Sequence, residues 1–161
     1  MSEAQQPVFS IEKVYVKDLS LEVPNAPQVF LQSEAPQLEV QLASTSQHID
    51  GALFETTVSV TVTAKVGDKT LFLVEAVQAG IFQIGGIPEG ELPAVLGIVC
   101  PNVLFPYARE TVSDTVNRAG FPPVLLAPVN FEAIYQQQVA NAQQANGGTG
   151  QADGPRIEIA H

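Results

Sequence analysis

Thr57-Val58-Ser59-Val60-Thr61-Val62-Thr63-Ala64-Lys65-Val66-Gly67-Asp68-Lys69-Thr70-Leu71-Phe72-Leu73-Val74 is the stretch that decides the fold. Val58, Val60, Val62 and Val66 alternate with Thr57, Ser59, Thr61 and Thr63. Period two with β-branched residues is the signature of a half-buried strand. Gly67-Asp68 then breaks the pattern, and a second β-rich run follows at once. Two such runs joined by a short Gly-Asp turn predict an antiparallel hairpin. The returning run differs from its mate. Leu71, Leu73, Val77 and Ala79 occupy one face, and Phe72, Val74 and Ala76 the other. Helices can cover only one face of such a sheet, so the second apolar face calls for another copy of the chain or a partner.

Towards the N-terminus, Val8 to Val23 reads as one long strand. Phe9, Ile11, Tyr15, Leu19, Leu21 and Val23 fall at odd positions, with Asp18, Ser20 and Glu22 at even ones. Pro24, Pro27 and Pro36 mark an irregular crossover, because proline has no N–H for a sheet ladder. The crossover still carries Val29, Phe30 and Leu31. Gln37 to Ser44 predicts another strand, with Leu38, Val40 and Leu42 on one side and Glu39 and Gln41 on the other. Ser44 to Gly51 reads as a polar loop.

Towards the C-terminus, Gly85-Gly86-Ile87-Pro88-Glu89-Gly90 ends the strands. Helical spacing starts near Glu91 and is interrupted at Pro101, which suits the first turn of a longer helix. That helix should run to about Ala119 and stop at Gly120, with Pro106 as a possible kink. Phe121 to Val129 contains Pro122, Pro123 and Pro128 and reads as a loop. Asn130 predicts an N-cap for a last helix carrying Phe131, Ile134, Tyr135, Gln138 and Val139 at 3.6-residue spacing. From Gln143 the chain is rich in Gly, Gln and Asn and predicts a disordered tail, residues 143–161, after a single domain, residues 1–142. The order is α+β: a four-stranded antiparallel sheet, then three helices packed on one side.

The 161 residues carry 17 acidic and 7 basic side chains, a formal net charge of −10. A nucleic-acid phosphate surface needs clustered Lys and Arg, so nucleic acid is excluded as the expected partner. Positively charged partners are favoured. The single cysteine, Cys100, allows no internal disulfide and lacks a neighbouring base in sequence. Met1 to Val8 has no basic or apolar region of a signal peptide, and no apolar run approaches a membrane span. The expectation is a cytoplasmic protein with no membrane insertion. His48 and His161 have no partner at metal-ligand spacing, and no nucleophile, base and oxyanion donor assemble, so neither cofactor, metal nor enzyme chemistry is expected.

Particular strings go further than the pattern. Tyr15-Val16-Lys17-Asp18-Leu19-Ser20-Leu21-Glu22-Val23-Pro24-Asn25-Ala26-Pro27 resembles the first-strand signature of the SecB family of protein-export chaperones. Cys100-Pro101-Asn102-Val103-Leu104-Phe105-Pro106-Tyr107-Ala108-Arg109-Glu110 is similar to that family's central helix. Gly120-Phe121-Pro122 and Leu126-Ala127-Pro128-Val129-Asn130-Phe131 resemble its last connection. The likeness spans about Phe9 to Tyr135. It implies a homotetramer, a dimer of dimers with the long helices between the dimers. It implies an ATP-independent holdase that binds unfolded precursors in apolar grooves and hands them to the export ATPase SecA. The alternatives within and outside this fold are a chaperone of a toxin–antitoxin system and an oligomeric small-molecule-binding protein.

Asp18 and Glu22 point the same way along a strand, about 13 Å apart at roughly 3.3 Å per residue. No Lys or Arg occurs from Asp18 to Ala64. Taken alone, such a row is an ordinary solvated face. The resemblance makes Asp18, Glu22, Leu73 and Glu75 the SecA-docking surface, with any zinc belonging to SecA. A client groove must be apolar and adaptable, and Phe30, Leu38, Val40, Leu42 and Tyr107 are its candidates. Burying roughly 1,000 Å² of apolar client surface is worth on the order of 25 kcal/mol gross, most of which ordering entropy removes. Many relatives carry a Trp on the crossover; here Glu34-Ala35 occupies that region and the chain has no Trp. Val74, Ala76 and Gln78 correspond to positions that govern tetramer assembly in the family.

Overall fold

The computed structural model describes residues 6–145 and 157–160. The strands are β1 (Val8–Glu22), β2 (Gln37–Asp50), β3 (Leu53–Val66), β4 (Lys69–Gly85) and β5 (Ile157–Ala160), in the order β1-β4-β3-β2-β5. Every pairing is antiparallel. The expected hairpin is present, with Gly67 in the left-handed region at φ 58° joining β3 to β4. The four-stranded antiparallel sheet with helices on one side is therefore as read from the sequence.

The polar stretch Ser44 to Gly51 is not a loop. β2 continues to Asp50 because its hydroxyls find partners across the ladder. Thr45 and Thr57 share a hydrogen bond of 2.7 Å, and so do Ser46 and Thr56. His48 lies edge-on to Phe54, and its Nε2 donates to the Gly51 carbonyl at 2.8 Å.

β1 also departs from simple alternation. Bulges between Ile11 and Lys13, and between Val16 and Asp18, each shift the register. One extra residue reverses which face the next side chain takes. Phe9, Ile11, Val14, Val16, Leu19 and Leu21 therefore stand opposite Ile84, Phe82, Gly80, Gln78, Ala76 and Val74 on the helix side. Tyr15 stands opposite Ala79 on the outer side, away from the odd-numbered residues it was grouped with.

The helical layer also runs on further than its prolines suggest. A 3₁₀ turn (Glu89–Glu91), α1 (Leu92–Ala94), a π turn (Val95–Val99) and α2 (Cys100–Arg118) form one continuous helix. Pro101 cannot donate to the carbonyl four residues back, and its ring crowds that turn. The π turn widens the helix just before it, which lets the chain pass without a break. By length and composition, Glu89–Arg118 is apolar enough to cross a membrane, contrary to the expectation that no run came close. Its apolar stripe is used otherwise. Cys100, Leu104, Ala108, Val112 and Val116 are fully buried, and α2 packs on β4 and β3. Val58, Val60, Val62, Val74, Ala76 and Phe82 meet it from the sheet.

α3 (Phe131–Ala145) starts as predicted, with the Ala133 N–H donating to Asn130 Oδ1 at 3.0 Å. It lies against the π turn, where a Cβ on Gly97 would stand 2.7 Å from the Tyr135 ring. The expected tail from Gln143 falls largely on residues 146–156 and 161, outside the described residues. Within them, α3 continues to Ala145 and Ile157–Ala160 pairs with the outer edge of β2.

Candidate functional site: an acidic face and an apolar groove

The outer face of the sheet carries the acidic set. Asp18 stands opposite Val77, Ser20 opposite Glu75, and Glu22 opposite Leu73. Directly paired residues share a face, so Asp18, Glu22, Leu73 and Glu75 form one patch. The three carboxylates are exposed and Leu73 is half-buried among them. The nearest cation in sequence, Lys17, is turned away: its Nζ donates to Glu55 Oε1 at 2.8 Å, the only ion pair among the described residues. Glu55 is buried and also accepts from the Tyr15 hydroxyl and, at 2.9 Å, from Gln47 Nε2. The hydrogen bonds from Lys17 and Tyr15 hold its carboxyl below the ordinary value of 4.5. Burial first, then the Glu55 carboxylate, pushes the Tyr15 phenol up to about 12. The first bulge on β1 helps bring Tyr15 to this face, and the second frees Lys17 to reach Glu55, so the patch beside them keeps its negative charge unneutralised.

On the helix side an apolar groove opens between the crossover, β2 and the 121–130 connection. Phe30, Leu38, Val40, Leu71, Phe72, Phe121 and Leu126 line it, enclosing about 670 Å³. Its floor is an aromatic run. The Phe30 and Phe121 rings stack with centroids 5.2 Å apart, and Phe121 meets Phe72 at 5.0 Å. Gly120, at φ 96°, turns the chain out of α2 with the Phe30 ring 3.0 Å from where a Cβ would be. Leu125 stands at the rim, 82% exposed, and Leu31, next to Phe30 on the crossover, is 87% exposed. A second hollow continues the groove along β2 through Val40, Leu42, Val60 and Phe105. A third, beyond Leu42, is bounded by Ser44, Leu96, Phe131 and Tyr135.

The sequence candidates divide accordingly. Phe30, Leu38 and Val40 line the main groove, and Leu42 its continuation. Tyr107 does not join them; it is exposed on α2, 47% accessible, apart from these hollows. Reasoning from sequence missed Phe72 and Phe121, because one sits in a strand with two apolar faces and the other follows a glycine in a proline-rich loop. Val74, Ala76 and Gln78 are not on a surface at all. They are buried beneath α2 within the single chain. Gln78 accepts from the Thr111 hydroxyl at 3.1 Å and donates to the Tyr15 carbonyl at 3.2 Å. No group of three His, Cys, Asp or Glu among the described residues could hold a metal.

The family described as preprotein translocase subunit SecB matches residues 2–142. The chain belongs to the SecB family. The protein-export protein SecB of Chromobacterium violaceum is 65% identical, with 92% of this chain and 99% of that one aligned. The SecB of Thiobacillus denitrificans is 64% identical over 90% of this chain and 96% of its own. That of Methylobacillus flagellatus is 58% identical, over 92% and 94%. Among solved structures, a Mycobacterium tuberculosis SecB-like chaperone in complex with an antitoxin peptide superposes with a TM-score of 0.63. It is 19% identical, covering 75% of this chain and 90% of that one, and so attests the SecB fold alone. The aromatic floor and acidic face described above are thus features of a SecB-family chain.

Proposed function

We propose that this SecB-family chain is a non-enzymatic holdase of the cytoplasm. It takes extended segments of unfolded precursors into the apolar groove and passes them to SecA docked on Asp18, Glu22, Leu73 and Glu75. The observation that carries the reading is the pairing of two unlike surfaces. One is an open groove floored by Phe30, Phe72 and Phe121 with Leu125 at its rim. The other is an acidic patch on the opposite face whose neighbour in sequence, Lys17, is engaged by Glu55. An open aromatic and aliphatic trough suits varied sequences, since apolar contact is non-directional. It needs no nucleotide, because capture competes kinetically with folding. The unneutralised patch speeds encounter with a basic partner. Export is favoured over guarding an antitoxin by the complete acidic set.

The working unit is a homotetramer, a dimer of dimers. The support lies on β1 rather than on β4, where the sequence alone pointed. Phe9, Ile11, Val16, Leu19 and Leu21 form an apolar row between 38% and 49% exposed, on a 15-residue strand with an open edge. Long unpaired edges with apolar faces are covered in native assemblies. Val74, Ala76 and Gln78 act on assembly indirectly, by setting how α2 lies on the sheet beside that row.

The deciding experiment is a refolding assay without nucleotide. The protein should arrest a slow-folding precursor at stoichiometric ratio. Refolding at the unassisted rate would overturn the holdase reading.

A further inference from the structure

The outer edge of β2 borders the groove and is the end of the main sheet. Its backbone groups from Glu39 to Leu42 are not left open. Ile157–Ala160 pairs with them antiparallel, in the register Glu39 with Ala160, Val40 with Ile159, Gln41 with Glu158, and Leu42 with Ile157. This segment is an alternating Ile-Glu-Ile-Ala. Its two isoleucines stand at the register positions of Val40 and Leu42, the two β2 residues that line the groove and its continuation. A short extended segment with alternating apolar residues, added to a sheet edge beside an apolar trough, is how strand addition recognises peptides: backbone bonds give affinity and alternate side chains give selectivity.

We infer that the chain's own Ile157–Ala160 is a resident occupant of the β2 edge over Glu39–Leu42, held there against the extended clients that the groove takes. The segment is a tethered competitor. An incoming extended client pairs with the same backbone groups and displaces it. Because the occupant is part of the chain, its local concentration is set by the tether and does not fall on dilution. The apparent affinity for a client is reduced by the fraction of chains whose edge is free. Weak, nonspecific segments are thereby turned away, and those able to fill the groove and the edge together are kept. The contact also protects a sheet edge that would otherwise template aggregation. The inference rests on the holdase reading for its client half, while the tail pairing stands independently of it.

The test uses the full chain and its Glu158→Pro/Ile159→Pro variant, since consecutive N–H groups point to opposite sides and one of the two prolines must remove an N–H the ladder needs. Amide exchange at Glu39–Leu42 is followed by NMR in both, free and with a permanently unfolded reduced and carboxymethylated protein as client. In the free wild type the alternate amides of this stretch that face away from β3 should be protected, and in the variant they should exchange about tenfold or more faster, while those bonded to β3 serve as the internal control. Client should restore protection in the variant, and the variant should bind it about three- to tenfold more tightly. Equal exchange at the amides facing away from β3 in the two free proteins would overturn the resident occupant. Client binding that leaves them unprotected in the variant would overturn the competition for the edge. Failure of both proteins to bind any unfolded client would instead overturn the holdase reading, leaving the exchange comparison of the free proteins to judge the tail.

Discussion

Glu55 shows how one residue ties the outer face together. It is buried and receives three side-chain donors from two other strands: Tyr15 and Lys17 from β1, which reach it across β4, and Gln47 from the adjoining β2. Removing a buried acceptor leaves its donors unsatisfied, so Glu55→Ala should destabilise the protein by about 1–3 kcal/mol in denaturant unfolding. Its depressed carboxyl also sets a direction with pH. The folded form binds the proton less readily than the unfolded one, so this contribution is present above about pH 4.5 and is lost as acid titrates the folded carboxyl below that value. The melting temperature of the wild type should therefore fall more steeply than that of Glu55→Gln as pH drops below 4.5; parallel curves would rule the network out as an acid-labile element. Asp18 and Glu75 belong to the same scale. Asp18→Ala or Glu75→Lys should weaken calorimetric affinity for SecA severalfold while client capture survives, because the patch and the groove lie on opposite faces of the sheet. Unchanged SecA affinity would remove the docking role.

At the scale of elements, the bulges, the π turn and the glycines decide where side chains finish. Gly120 is the clearest case. It ends α2 in the left-handed region and leaves room for Phe30. Gly120→Ala should cost about 1–2 kcal/mol from backbone strain alone. The added methyl would also press on the Phe30 ring and disturb the aromatic floor. The expected outcome is a lower melting temperature together with weaker capture of an unfolded client. A variant that loses stability but binds client as before would separate the Gly120 turn from the groove. The long strands and α3 were legible because period two and period 3.6 survive in Thr57–Val66 and Phe131–Val139. The full length of β2 was not, since Ser44–Asp50 is polar and is held by cross-strand hydroxyl pairs that only the register supplies. The continuous helix was hidden for a similar reason. Pro101 is a stop signal in a chain considered locally, and the π turn that admits it depends on the helix already lying across the sheet.

For the whole molecule, the exposed apolar row on β1 is the feature a lone subunit leaves unsatisfied. Light scattering should give a mass near four subunits, and Ile11→Glu with Leu19→Glu should yield a smaller species that keeps its far-UV circular dichroism. A wild-type monomer at micromolar concentration would sink the tetramer. In the proposed assembly the net charge of −10 would oppose further association and favour encounter with a basic partner.

The sequence by itself determined the family, the presence of four antiparallel strands, the cap at Asn130, and the placement of Asp18 and Glu22 on one face of β1. These depend on local periodicity, turn chemistry and long ordered strings. Only the tertiary structure decided that Tyr15 and Lys17 serve Glu55, that Phe72 and Phe121 floor the groove while Tyr107 stands apart, and that Val74, Ala76 and Gln78 are interior. Those outcomes hinge on register and on which elements pack against one another. A single inserted residue in a strand reverses the faces beyond it, and no local count of residue types carries that information.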